Sequence, residues 1–140
     1  MARLFHLDGS MPDKQNWVFV FGSNLAGRHG KGAAKVARLS FGARYGQGSG
    51  PFDRSYAIPT KDERLAVRGL DDIRHEVELF IAYARSQPLE RYWVTRIGCG
   101  LAGYKDSEVA PMFKTAPENC SFANEWKSYI SVQAPWDELS

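Results

Sequence analysis

Cysteine is scarce in this sequence: Cys99 and Cys120 are the only two among 140 residues. Two thiols make no disulfide framework, and a reducing, intracellular setting is the simplest expectation. Long apolar runs are missing as well. None approaches the roughly 18 residues that span a membrane, and the N-terminus has no apolar core of a secretory signal. A cytoplasmic chain without a membrane partner is therefore expected. Neither sign of charge prevails: 18 Lys and Arg stand against 16 Asp and Glu, a net charge of +2. Such a balance admits an anionic ligand without requiring nucleic acid. Internal repeats and low-complexity tracts are absent too. What remains is a chain of ordinary composition, long enough to bury a core without staples and of a length that suggests one domain over 1–140.

Glycine is what the sequence does have, 13 residues, and it gathers in loops behind apolar runs. The run over 17–21 is continuously apolar, as a strand buried on both faces should be. It turns through Gly22, Ser23 and Asn24, crosses Gly27 and Gly30, and enters a helix expected over 32–41. Ala33, Ala34, Val36, Ala37 and Phe41 give that helix an apolar face, Lys35 and Arg38 face out, and Gly42 is its stop. A strand, a glycine loop and a helix N-terminus suit a phosphate, because backbone N–H groups can approach the anion and the helix start adds unpaired donors.

A second such unit follows downstream. A strand over 92–97 runs into Gly98-Cys99-Gly100-Leu101-Ala102-Gly103-Tyr104, with a helix expected over 108–114 and capped by Ser107. Between the two units lie a loop over 45–54, a short strand over 55–59 that delivers Thr60, Lys61 and Asp62, and a helix over 70–86. In that helix Ile73, Val77, Phe80, Ile81 and Ala84 recur at helical spacing, Asp71 and Asp72 occupy the first turn, and Pro88 lies just beyond the end. The stretch 3–7 fits an edge strand or an extended arm, 120–122 a last short strand, and 124–140 an irregular tail ending in Trp136-Asp137-Glu138-Leu139-Ser140. Strands alternating with helices argue for a layered α/β fold.

Two familiar phosphate motifs fail. A P-loop needs Gly, four residues, Gly-Lys and then Ser or Thr, but Gly32 follows Gly30-Lys31 and Leu25 stands where the first glycine belongs. The dinucleotide fingerprint lacks its third glycine, since position 35 is Lys35. Two facing glycine loops at the carboxyl ends of strands still suggest a diphosphate, with Lys61 projecting into the same crevice.

Three ordered segments carry a resemblance: Gly30-Lys31-Gly32-Ala33-Ala34 with Phe41-Gly42; Ile58-Pro59-Thr60-Lys61 with Leu70-Asp71-Asp72-Ile73; and Arg96-Ile97-Gly98-Cys99-Gly100-Leu101-Ala102-Gly103. Over roughly 17–114 the chain resembles the macrodomain superfamily, in particular the branch of terminal ADP-ribose glycohydrolases and DNA ADP-ribosyl glycohydrolase antitoxins. It is also similar to small phage and bacterial proteins of the same build. The resemblance implies a three-layer α/β/α fold with a central mixed sheet, binding of ADP-ribose or a derivative, and hydrolysis of an ADP-ribosyl linkage on a macromolecule. It implies that Asn24 and the loop containing Gly27, His29, Gly30, Gly32 and Ala33 face the distal ribose and its phosphate. Gly98, Cys99, Gly100, Leu101, Ala102, Gly103 and Tyr104 would wrap the diphosphate. Lys61 matches the lysine that, in this branch, attacks the anomeric carbon. An amine does so only when deprotonated, a state favoured by burial or a neighbouring cation. The chain departs from one well-known member at Ala102, where that member has an acid; the antitoxin-like members are closer here. Asp62 and Asp106 are the candidate substitutes. No metal or cofactor is expected.

Plainer readings stand beside these. Lys61 also fits a surface lysine, His29 a solvated loop residue, Cys99 a small packing residue, His75 a surface residue and Tyr104 a core or lid residue. The cluster Arg28, His29, Lys31, Lys35, Arg38 and Arg44 either steers an anionic partner, nucleic acid included, or is a solvated face. Three other functions compete: a module that reads ADP-ribose-type ligands without turnover, a phosphatase acting on ADP-ribose phosphate, and a nucleic-acid accessory protein.

Overall fold

A computed structural model describes residues 3–130. Six strands form one sheet: β1 (Leu4–His6), β2 (Val18–Asn24), β3 (Gly50–Phe52), β4 (Ser55–Lys61), β5 (Tyr92–Val94) and β6 (Cys120–Ala123). Their order is β1-β6-β5-β2-β4-β3. All neighbours run parallel except the edge strand β3, which is antiparallel to β4. Helices α1 (Gly32–Ser40), α2 (Leu70–Ser86), α3 (Asp106–Val109) and α4 (Lys127–Ile130) complete the framework, with 3-10 turns at Ala110–Phe113 and Asn124–Trp126. The expected layered α/β arrangement around a mixed sheet is what forms. Among the described residues no helix is long and apolar enough to cross a membrane.

Alternation along the strands builds a core on each face. Val18, Val20, Ile58, Val94 and Phe122 meet Ile73, Val77, Phe80 and Ala84 of α2, with Phe113 and Trp126 closing that side. Phe19, Phe21 and Ala57 point the other way and meet Ala34, Ala37 and Phe41. Small alanines let α1 lie close to the sheet, and the Phe19 and Phe41 rings stack at 4.5 Å.

The structure corrects several expected boundaries. β2 continues through Gly22, Ser23 and Asn24, and β4 reaches Lys61, because the two strands stay paired to Asn24 and Lys61. β5 stops at Val94: the Thr95 N–H and hydroxyl both donate to the Val20 carbonyl (3.1 and 2.8 Å), which ends the ladder. The stretch over 45–54 holds β3, an edge strand that tolerates Pro51. The helix expected over 108–114 instead starts at Asp106, where the Lys105 N–H donates to the Glu108 carboxylate (3.0 Å) in place of a Ser107 cap. It tightens to 3-10 form at Pro111, which has no N–H for an α-helical bond. Within the expected irregular tail, 124–130 is helical, and Trp126 is buried in the core. The expected arm at 136–140 lies outside the described residues.

Candidate functional site

The parallel strands β2, β4 and β5 end on the same side, where open α/β sheets leave a crevice. Here β5 leaves the ladder at Thr95 while β2 runs on to Asn24, and a cleft of about 820 Å³ opens above these ends. Asn24, Gly30, Gly32 and Ala33 line it from the first glycine loop, and Gly98, Cys99, Gly100, Leu101 and Ala102 from the second. Lys61, half-buried at the end of β4, lines it between them. Nine of the thirteen expected ligand-binding positions and the expected nucleophile thus share one cavity. Gly27, His29, Gly103 and Tyr104 are not among its lining residues.

The first loop is built from within. The Asn24 amide donates to the Arg28 carbonyl and accepts from the Arg28 N–H, both at 2.9 Å. Its hydrogen bonds therefore brace the turn. Gly27 has φ +70, and a Cβ there would strike the backbone of Gly46 and Gln47. The Gly46 N–H donates to the Gly27 carbonyl (2.9 Å), and the Ser23 hydroxyl donates to the Gly48 carbonyl. His29 is fully buried, edge-on to Phe21 (5.2 Å) and Tyr45 (6.3 Å), and neither ring nitrogen makes a hydrogen bond. Burial, aided by the Arg38 charge and only partly offset by the Gln47 backbone, lowers its pKa. His29 is a neutral ring supporting the loop, which removes it from the exposed basic cluster. Of that cluster, Arg28 and Lys31 reach the cleft. The start of α1 carries no side-chain cap and no acid in its first turn, and Gly32 and Ala33 at that start line the cavity, a position where the unpaired N–H groups of a helix start suit an anion.

The second loop is fastened at its base. Arg96 grips Asp106 with two hydrogen bonds, Nε to Oδ1 at 3.0 Å and Nη2 to Oδ2 at 2.6 Å, and the Trp126 indole N–H donates to the same carboxylate at 2.6 Å. These bonds, the Arg96 ones first, lower the Asp106 pKa. Within the loop the Tyr104 N–H donates to the Gly98 carbonyl (2.8 Å), and the Tyr104 hydroxyl donates to the Arg68 carbonyl. Tyr104 therefore stays behind the loop. Burial, then the charge of Asp106, pushes the Cys99 thiol up to about 12, so Cys99 packs and does not attack.

The candidate acids are occupied. Asp62 accepts the N–H groups of Arg64 (2.8 Å) and Ala66 (3.0 Å), and Asp106 is held as described. Asp8 is the one carboxylate among the lining residues, and Arg96 pairs with it at 3.1 Å. Asp8 belongs to a wall that sequence reasoning missed, formed by His6, Asp8, Met11 and Trp93. His6 stacks on Trp93 at 3.9 Å, and its Nδ1 lies 2.8 Å from the Ser121 hydroxyl. The strand that carries His6 reads Leu4-Phe5-His6, too short for its pattern to announce the wall. Among the described residues no group of three or more His, Cys, Asp or Glu is placed to hold a metal ion.

The fold has a solved counterpart. The structure of Thermosipho africanus DarTG in complex with ADP-ribose superposes with a TM-score of 0.55 over 88% of this chain, at 16% identity. The chain spans about two fifths of that structure, 41% of its length. At this identity the likeness is one of fold, and the fold is macrodomain-like. No protein-family model matches the chain, and no curated protein matches it.

Proposed function

We propose that the cleft binds ADP-ribose or a close derivative and that the chain hydrolyses an ADP-ribosyl linkage on a macromolecule, with Lys61 as nucleophile. The observation that carries this reading is the meeting of both glycine loops and Lys61 in one cavity. Its volume lies in the range of about 300–1,000 Å³ usual for small-molecule sites. The solved counterpart holds ADP-ribose, which supports the same ligand class here. In the proposed step the Lys61 Nζ bonds to the anomeric carbon as that carbon's bond to the macromolecule breaks, and the leaving atom takes up a proton. Water then releases ADP-ribose and regenerates the amine. The α1 N-terminus and the second loop would hold the diphosphate with backbone N–H groups, and Arg28 and Lys31 would add attraction at the mouth.

One observation favours a second reading, a module that binds without turnover. Ala102 offers no acid, and Asp62 and Asp106 are committed to hydrogen bonds. Lys61→Ala separates the two. Under hydrolysis, release of ADP-ribose from a modified macromolecule falls at least a hundredfold while calorimetric affinity for ADP-ribose changes less than about threefold, an estimate based on losing a covalent step but little ground-state contact. Wild-type protein that binds ADP-ribose yet releases none from modified protein or DNA would establish the second reading.

A further inference from the structure

Residues 61–68 form a small hairpin over the cleft. Lys61 pairs antiparallel with Val67, the Asp62 N–H donates to the Ala66 carbonyl (2.8 Å), and the Arg68 N–H donates to the Thr60 carbonyl (2.9 Å). The base is pinned, because the Arg68 side chain donates to the Pro59 carbonyl (3.1 Å) and its carbonyl accepts from Tyr104. The tip is exposed over 63–67. At that tip Leu65 has φ +66, a left-handed conformation that a leucine Cβ resists. The Asp62 carboxylate enforces it by gathering the N–H groups on either side of Leu65. The other non-glycine residue with positive φ among the described residues is Asp53, of a type that tolerates it better. Leu65 is also 47% exposed, yet it lines the cleft that holds Lys61. From the opposite loop Leu101, 67% exposed, lines the same cavity and lies over Gly32.

An apolar side chain held in a strained turn and left half in water gains little for the empty fold. It gains when something in the cleft covers it. We propose that Leu65 is a positioning residue: it packs on the apolar face of the distal ribose beside Lys61 and, with Leu101 opposite, excludes water from that sugar. This inference rests on the ADP-ribose reading of the cleft and adds a part to it that no motif marks.

Glycine adopts φ +66 without strain, so Leu65→Gly removes the side chain and relaxes the turn together. The test is calorimetric titration with ADP-ribose and with AMP, which lacks the distal ribose, alongside thermal melts. Leu65→Gly should melt at or above the wild-type temperature and bind ADP-ribose about tenfold more weakly, as loss of one buried leucine contact implies, with AMP affinity unchanged. Leu65→Ala keeps the strain and should show the same affinity loss without the gain in melting temperature. Wild-type binding of ADP-ribose with no loss in either variant would overturn the role of Leu65 and leave the reading of the cleft standing. Equal losses for ADP-ribose and AMP would also overturn it, since the contact would not be with the distal ribose. A wild-type protein that binds no ADP-ribose would remove the reading and this inference together.

Discussion

His6 is 8% exposed, and its surroundings keep it neutral. Burial lowers its pKa to about 4, against a smaller opposite pull from Asp8 and the Val94 backbone. The sign follows from the unfolded chain, where a histidine titrates near 6.5. Above that value both states are neutral and His6 costs nothing. As pH falls from about 6.5 to about 4, the unfolded chain takes up a proton that the folded one refuses, and stability drops by up to roughly 3 kcal/mol. His29 acts in the same direction. Melting temperature should therefore fall steadily from pH 7 to pH 4.5, and the slope should flatten in His6→Asn, which keeps a polar partner for Ser121. An unchanged slope would mean that His6 is protonated in the fold. At this scale the sequence was partly legible. Lys61 and the second loop were identified by their place after strands, whereas the burial of His29 depends on Tyr45 and Phe21 approaching from separate segments, which no local pattern records.

At the scale of elements, the Arg96–Asp106 pair governs the second glycine loop. It bridges the chain just before Gly98 and just after Tyr104, so the loop is closed at its neck by a bidentate ion pair. Asp106→Asn would weaken three charge-assisted hydrogen bonds, those from Arg96 and Trp126, at a cost of roughly 2 kcal/mol. Amide exchange over 98–104 should quicken in this variant more than exchange in α2, as hydrogen-exchange mass spectrometry would show. Equal protection of the loop in both proteins would mean that the glycine turns hold themselves. Legibility at this scale followed periodicity. Helix α2 was read to its bounds because 17 residues repeat one apolar face and Pro88 lies just beyond. β3 was lost among glycine and proline, and α3 began early because Glu108, rather than Ser107, satisfies its first turn.

For the molecule as a whole, the two cores divide the labour. The α2 side carries the larger apolar cluster, centred on Phe80, whose ring meets Tyr56 (5.0 Å), Tyr92 (5.4 Å) and Phe113 (6.2 Å). The α1 side is thinner and shaped around the cleft. Phe80→Ala should lower unfolding free energy in urea by roughly 3–5 kcal/mol, with ADP-ribose affinity of the remaining folded protein intact. A parallel loss of affinity would show the two faces to be mechanically linked. The alternation of strand and helix made the layered architecture legible, but not the seat of β1. Leu4, Phe5 and His6 pair with Ser121, Phe122 and Ala123, more than a hundred residues away, and only the folded sheet brings this wall to the cleft.

The stack of His6 on Trp93 has an optical consequence. An indole lying 3.9 Å from an imidazole, in the wall of a cavity, has an emission sensitive to that neighbour's charge and to what fills the cavity. The cleft thus contains its own fluorophore. Acidification and ligand entry should both perturb Trp93, one through the ring stacked on it and the other through the cleft it lines, as a change superimposed on the emission of the chain's three other tryptophans.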